Sequence, residues 1–370
     1  MAEFQTHKND ITKTRLVSAG DKLEDFTLSD GEILVAIERF AFTANNVTYG
    51  AVGEQIGYWQ FFPPSLSGED DSDWGLVPVW GFASVVASKN SDMALGERFY
   101  GYFPMANFLK MTPTRVTAER LVDGAAHRAE LPAVYNSYDR LVAGAGNATA
   151  DSMRALLNPL YGTSYCLVDA LQEQDYHDAE QVVILSASSK TAIGLAYGLS
   201  QLDGKRPRIV GLTSPSNVAF TQSVGSYDEV IAYDDLAALK LVPSVLVDMS
   251  GNAAVLGAVH GALGEDMRWC HNVGLTHWDT SEAQKDPAAA QIIRDRSEMF
   301  FAPGHIQRRA KEWGALDFNA KVAGFLAGGI EHAQNWMDVK EIQGLENFGS
   351  IYDAVVVGNM QAKEGLIILP

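Results

Sequence analysis

Residues 181–199, QVVILSASSKTAIGLAYGL, predict the centre of the fold. The stretch begins with a β-branched run, passes through a turn of small residues and ends in an apolar pattern of helical period. This order is typical of the first strand, phosphate loop and helix of a dinucleotide-binding unit. Gly194 alone stands where that motif has a closing glycine, so the prediction depends on the residues further along the chain.

Strands and helices alternate along residues 181–278. The predicted strands are 182–186, 208–213, 229–232, 244–248 and 267–274, and the predicted helices are about 191–202, 218–224 and 253–263. This succession is the signature of a parallel sheet covered by helices on both faces. We therefore predict an α/β fold with a doubly wound parallel sheet.

The first 130 residues instead predict a β-rich domain. Residues 31–42, GEILVAIERFAF, alternate apolar and polar side chains with strand period, and further strand-like runs follow between turns. A polar turn at 44–50 leads into a loop rich in aromatic residues and proline, which is either a flexible lid or a cleft wall. Short strands at such intervals indicate a compact barrel or meander.

The pattern becomes helical from about residue 150 to 174. We expect Asn158-Pro159 to interrupt this helix, because proline disfavours helix in the residue before it. Beyond the alternating region we predict helices at 306–313, 318–336 and 351–357 and a returning strand at 365–369. The predicted domains are a β-rich domain over 1–150, a nucleotide-binding domain over 151–304 and a C-terminal return over 305–370.

Composition restricts the classes of partner. Hydrophobic residues make up 47% of the 370 residues and charged residues 20%, as in globular proteins, and the formal net charge of -18 opposes binding to nucleic acid. We see no apolar run long enough to span a membrane and no secretory leader, so we expect a cytoplasmic protein with a small-molecule partner. Cys166 and Cys270 should be reduced, buried thiols.

The small residues after the first strand can approach a pyrophosphate closely. Backbone N–H groups and the helix dipole favour negative charge there, hydroxyls add donors and the lysine adds positive charge. The alternative is an ordinary helix cap with an exposed lysine. The candidate cofactor residues in this stretch are Ser188, Ser189, Lys190, Thr191 and Gly194.

The second predicted strand ends in residues 213–217, TSPSN, where an NAD site normally presents an acid to the ribose hydroxyl. No acid is present, and the hydroxyl groups leave room for a 2'-phosphate, so the sequence favours NADP over NAD; the alternative is a solvated turn. The candidates here are Thr213, Ser214 and Asn217. Gly274 and Thr276 lie at the end of the predicted strand 267–274, where they would line the nicotinamide.

The order of these parts resembles the medium-chain dehydrogenase/reductase superfamily across nearly the whole chain. The sequence looks closest to its zinc-free quinone oxidoreductase and enoyl-thioester reductase branch, because 188–194 is similar to glycine-poor loops there and Asn158-Pro159-Leu160 resembles an Asn-Pro-Leu segment. The resemblance implies a chaperonin-10-like barrel, a Rossmann domain, an active site in the cleft between them and a homodimer. The insert at 50–73 departs from the family pattern.

Zinc-dependent members of that superfamily need cysteine or a histidine-glutamate pair near the polar turn and a cysteine cluster in the barrel. This chain has Asn45, Asn46 and Thr48 at the turn and no cysteine before Cys166. We therefore predict no metal. Hydride transfer from NADPH to an activated C=C bond or a quinone remains the leading function.

The resemblance also implies roles for individual residues. Asn45 matches the asparagine of the polar turn, Tyr49 lies near the position of a substrate-donating tyrosine, and Thr163 matches a threonine that approaches the nicotinamide. Each has a structural alternative: a turn-former, a wall residue and a helix residue. His277 is a candidate general acid, although a lone histidine after a strand is more often structural.

Aromatic residues suggest an apolar, flat or acyl substrate. The candidate substrate residues are Tyr58, Trp59, Trp80, Tyr135 and Phe300. A carbonyl reductase, a lyase-like variant of the same scaffold and a non-catalytic NADPH sensor are the alternatives.

Overall fold

A computed structural model describes residues 1–19, 26–66, 71–141, 146–274 and 287–370. The chain forms two compact units. The first unit combines Met1–Leu156 with Asp338–Pro370, and the second comprises Leu157–Met337. Each unit has its own β-sheets.

The strands in chain order are β1 (Ala2–His7), β2 (Asp10–Ser18), β3 (Ile33–Phe42), β4 (Trp74–Gly75), β5 (Pro78–Ser88), β6 (Arg98–Pro104), β7 (Phe108–Met111), β8 (Pro113–Thr114), β9 (Arg120–Asp123), β10 (Ser137–Arg140), β11 (Gln181–Leu185), β12 (Arg208–Thr213), β13 (Glu229–Ala232), β14 (Ser244–Asp248), β15 (Met267–Asn272), β16 (Ser297–Met299), β17 (Asp338–Gln343) and β18 (Glu364–Leu369). The helices are α1 (Ala44–Ala51), α2 (Gly53–Ile56), α3 (Ala148–Glu173), α4 (Lys190–Ser200), α5 (Val218–Ser223), α6 (Ala253–Leu263), α7 (Ala302–Trp313), α8 (Ala315–Ala333) and α9 (Gly349–Val356).

The first unit is β-rich, as predicted. A nine-stranded sheet has the order β17-β18-β3-β5-β6-β10-β9-β8, with β7 also paired to β3, and a three-stranded sheet has the order β2-β1-β4. The predicted strand at 365–369 forms β18, which pairs antiparallel with β3 and parallel with β17.

The second unit contains a six-stranded parallel sheet of order β13-β12-β11-β14-β15-β16. All five residues of β11 are buried, as expected for a central parallel strand. From β11 the chain first adds strands on one side and then on the other. The strand order therefore reverses beside β11, and the crevice at the carboxyl ends of such strands is where α/β sheets bind ligands.

Two local predictions are wrong. The segment predicted as a polar turn is helix α1, because Thr43 caps it and Asn46 completes a capping box. Helix α3 continues through Pro159 without interruption. Proline removes one backbone donor, but Leu156, Leu157 and Tyr161 on either side of it are completely buried, and this packing outweighs the local preference.

Both cysteines are free and buried, which confirms the prediction of reduced thiols. Burial raises the pKa of the Cys166 thiol to about 12, so this thiol is unreactive. Among the described residues, no helix combines the length and the apolar character needed to cross a membrane.

Candidate functional site

The predicted phosphate loop lies at the carboxyl end of β11, where the strand order reverses. It leads directly into α4, whose N-terminal cap is Ser189; the Ser189 Oγ accepts a hydrogen bond of 3.4 Å from the backbone N–H of Ala192. Lys190 is the first residue of α4, and its side chain is half-buried. An anion at this helix start would meet backbone donors, the helix dipole and a lysine.

Ser186 occupies a backbone conformation that usually requires glycine, with a φ of 55°. Tyrosines on either side hold the loop in this shape. The Ser186 N–H donates to the Tyr233 hydroxyl at 2.7 Å, and the Tyr227 hydroxyl donates to the Ala187 carbonyl at 2.8 Å. The tight turn is therefore fixed by side chains rather than by glycine.

Gly194 serves the packing of α4 against α3. A Cβ atom there would lie 2.6 Å from the Ser164 Oγ and 2.6 Å from the Tyr161 ring. The Ser164 Oγ also donates to the Thr191 carbonyl at 2.8 Å, which ties the first turn of α4 to α3. The closing glycine of nucleotide-binding motifs has the same packing role.

A network of hydroxyl and amide groups joins the loop to the end of β12. The Ser188 Oγ accepts hydrogen bonds from the Thr213 Oγ1 and the Asn217 Nδ2, each at 3.2 Å, and the Asn217 Nδ2 also donates to the Ser214 Oγ at 3.0 Å. Because Ser188 accepts both bonds, its own hydroxyl proton can serve a ligand. The hydrogen bonds of this network, within the described part of the chain, involve no carboxylate.

Two other predicted cofactor residues, Thr163 and Gly274, lie on other elements of the chain. Thr163 is half-buried on α3, where its Oγ1 donates to the Pro159 carbonyl at 3.4 Å. The N–H of Gly274 donates to the Asp248 carbonyl at 3.0 Å, and a Cβ atom on Gly274 would lie 2.7 Å from the Met249 carbonyl oxygen. Thr276 and His277 lie outside the described residues.

In the first unit, Asn45 and Tyr49 face each other across one turn of α1. The Asn45 Nδ2 donates to the Tyr49 hydroxyl oxygen at 2.8 Å. This bond uses a lone pair of the hydroxyl and leaves its proton for another acceptor. Burial, followed by the neighbouring Tyr58, raises the pKa of Tyr49 far above its ordinary value of 10, so the group stays protonated.

Tyr49 belongs to a group of packed rings that we call the aromatic cluster, which consists of Tyr49, Tyr58, Trp80, Tyr100, Tyr102 and Tyr135. The Tyr58 and Tyr135 hydroxyls form a hydrogen bond of 3.2 Å. The Tyr100 and Tyr102 hydroxyls are buried, and no described residue hydrogen-bonds to them. The cluster thus combines flat apolar walls with several polar donors.

Two predicted substrate residues are not members of the aromatic cluster. Trp59 is buried against Gly53 and Gly75, and a Cβ atom on Gly75 would lie 2.5 Å from its ring, so Trp59 is a core residue. Phe300 belongs to the second unit, where its ring packs at 5.8 Å from His271 and 5.7 Å from His305.

Sequence reasoning missed several residues in the aromatic cluster and beside the phosphate loop. Tyr100 and Tyr102 alternate along β6, and this period-two spacing could have placed both in one cluster. Asp248 ends the central strand β14 beside the phosphate loop strand, where its Oδ2 is buried and no described group hydrogen-bonds to it. Burial raises the pKa of this carboxyl above its ordinary value of 3.8.

Metal binding by a protein site needs several histidine, cysteine, aspartate or glutamate side chains close together. Within the ranges that the structure describes, no three of these side chains are arranged to hold a metal ion.

The fold is similar to that of several solved proteins. CurA from Vibrio vulnificus in complex with NADPH has a TM-score of 0.61 at 15% identity, over 96% of this chain and 94% of that one. The YhdH oxidoreductase from Salmonella enterica in complex with NADP has a TM-score of 0.54 at 14% identity, over 100% of both chains. CurK enoyl reductase has a TM-score of 0.54 at 13% identity, over 100% of this chain and 98% of that one.

These likenesses confirm the predicted fold class, which combines a Rossmann-type parallel sheet with a β-rich domain. No curated protein matches the chain significantly in sequence. A family model described as "Protein of unknown function (DUF2855)" matches residues 40–361, which is most of the chain. The chain therefore belongs to the DUF2855 family.

Proposed function

We propose that the protein is a metal-independent reductase that uses NADPH to reduce an activated C=C bond or a quinone of a small, apolar substrate. The observation that carries this proposal is the Tyr49 hydroxyl, which accepts a hydrogen bond from Asn45 and keeps its proton for an acceptor. A neutral, oriented donor beside aromatic walls suits a substrate whose carbonyl oxygen gains negative charge during reduction.

The donors around Ser188 fit the cofactor. A 2'-phosphate needs hydrogen-bond donors and is repelled by carboxylates, and the network of Ser188, Ser214 and Asn217 supplies the donors. CurA and YhdH, which share the fold, were crystallised with NADPH and NADP, which supports the same choice here. NADPH would supply the hydride, and the start of α4 would hold its phosphates.

Tyr49 would act on the substrate. Its hydroxyl donates to the substrate carbonyl oxygen as an enolate develops, and it then gives up its proton to complete the reduction. Asn45 orients that hydroxyl through the bond to its oxygen and stabilises the phenolate that remains. Trp80, which is half-buried, would contact the flat substrate.

NADPH oxidation in the presence of enones, enoyl thioesters and quinones tests the proposal, and product analysis separates C=C reduction from carbonyl reduction. For Tyr49→Phe we expect turnover to fall about 100-fold or more, because one donor to a developing oxyanion contributes that much. Dialysis against a chelator should leave the activity unchanged.

Two results would refute it. If no acceptor were turned over although NADPH bound tightly in calorimetric titration, a cofactor sensor would be the better explanation. If neither NADPH nor NADH bound, the nucleotide site itself would be wrong. We propose a cytoplasmic location as well as a homodimer. The homodimer is implied by the sequence resemblance, and light scattering on the purified chain tests it.

A further inference from the structure

Reduction of a C=C bond consumes one hydride and one proton in each turnover, so under the proposed function, on which this inference rests, Tyr49 must recover its proton after each cycle. Tyr49 is only 7% exposed, and burial disfavours its phenolate. Bulk water therefore has little direct access to the group that must be reprotonated.

Asn45 cannot supply this proton. Its amide donates a hydrogen bond to the Tyr49 hydroxyl, but an amide does not release a proton at physiological pH. Across the described ranges, no carboxylate or imidazole hydrogen-bonds to the hydroxyls of Tyr49, Tyr58 or Tyr135. A proton must reach Tyr49 through other hydroxyl groups or through water.

The Tyr58 ring packs directly against the Tyr49 ring. Their ring centroids are 4.4 Å apart and the rings are inclined by only 36°, so the two phenols lie side by side. Tyr58 is itself buried, and its hydroxyl meets that of Tyr135 at 3.2 Å. Tyr135 is half-buried and is the most exposed of the three tyrosines in this row.

We propose that Tyr58 and Tyr135 form a proton relay that returns a proton from solvent to Tyr49. Tyr49 first transfers its hydroxyl proton to the substrate enolate and becomes a phenolate. The Tyr58 O–H bond then breaks as the Tyr49 O–H bond forms, Tyr135 gives its proton to Tyr58, and water reprotonates Tyr135. The sum is one hydride from NADPH and one proton from water added to the substrate.

Tyr352 is the matched control. It is a buried tyrosine of the same unit, but it lies outside the aromatic cluster, because its ring packs against Phe4 and Phe348 and its hydroxyl donates to the Ile11 carbonyl at 2.9 Å. Tyr352→Phe therefore removes a buried phenol of the same kind without interrupting the relay.

The relay separates the first turnover from the later ones. Resting Tyr49 already carries a proton, so Tyr135→Phe and Tyr58→Phe should leave the rate of the first NADPH oxidation in stopped flow within about twofold of wild type. Steady-state turnover should fall roughly ten- to 100-fold, in the range of proton-transfer catalysis. Tyr49 and Tyr58 share no hydrogen bond at rest. In the two variants, reprotonation of Tyr49 should become rate-limiting, with a larger solvent isotope effect and partial rescue by imidazole buffer.

Three outcomes would overturn the relay: equal losses in the first and later turnovers, unchanged steady-state turnover in both variants, or the same loss in Tyr352→Phe. Failure of the proposed function has a different signature. In that case wild type would show no NADPH-dependent turnover, or Tyr49→Phe would match wild type in the first turnover. Circular dichroism and thermal unfolding check that each variant is folded.

Discussion

His260 makes the stability of the second unit depend on pH. Its side chain, on α6, is completely buried, and its Nδ1 accepts a hydrogen bond of 3.0 Å from the backbone N–H of Ile293. Burial, followed by the charge of Arg296, lowers the pKa of His260 from 6.5 to about 4. Protonation at Nδ1 would break the bond to Ile293 and place a charge in the core.

The sign and size of the effect follow from this pKa. The unfolded chain binds a proton at His260 near pH 6.5, and the folded chain binds it only near pH 4. The stabilisation is therefore complete above about pH 6.5 and is lost as the pH falls toward 4. A difference of that size corresponds to about 3 kcal/mol in total, of which about 2 kcal/mol is lost between pH 7.5 and pH 5.

His260→Asn tests this reasoning, because the asparagine oxygen can accept the Ile293 bond without titrating. Urea unfolding of wild type and variant is measured at pH 7.5 and pH 5, with His7→Asn in the first unit as the control. We expect the variant to be less stable at pH 7.5 but to lose about 2 kcal/mol less than wild type on acidification. An unchanged pH dependence in His260→Asn would show that His260 is not the titrating group.

Three further substitutions probe the nucleotide-binding loop. Ser186→Gly relieves a positive φ of 55° and should raise the free energy of unfolding by up to ~1 kcal/mol in urea titration; a loss would mean that the serine is not strained. Gly194→Ala forces a Cβ atom to within 2.6 Å of the Tyr161 ring and should destabilise the protein by about 1–3 kcal/mol in the same assay. Asn217→Asp puts a carboxylate next to Ser188 and should weaken NADPH binding at least tenfold relative to NADH in calorimetry; equal weakening of both would refute the assigned 2'-phosphate contact.

The sequence predicts the second unit better than the first. The strands of the parallel sheet are short β-branched runs buried on both faces, so residues 208–213 and 244–248 coincide with β12 and β14. By contrast, β17 has the sequence DVKEIQ and is mostly exposed at a sheet edge. Its pairing with β18 decides its conformation, and an apolar pattern does not reveal that pairing.

The sequence likewise predicts the candidate nucleotide site better than the aromatic cluster. Residue types alone indicate the donors Ser188, Thr213 and Asn217, because their chemistry suits a phosphate and their positions follow neighbouring parallel strands. The aromatic cluster depends on contacts between residues far apart in the chain. The bond between Tyr58 and Tyr135, for example, spans 77 positions, and neither local period nor spacing indicates it.

The missing glycines at 186–189 illustrate why a motif should be interpreted by its physical role. A glycine in a phosphate loop provides a positive φ and room for close approach. Here Ser186 has the positive φ, and Tyr233 compensates by accepting its N–H at 2.7 Å. The room for close packing is kept at Gly194 and at Gly211, where a Cβ atom would lie 2.8 Å from the Cβ of Ala187. The roles of the motif's glycines are thus shared by Ser186 in the loop, Gly194 on α4 and Gly211 on β12. The small number of glycines in the loop therefore underestimates its capacity to bind a dinucleotide.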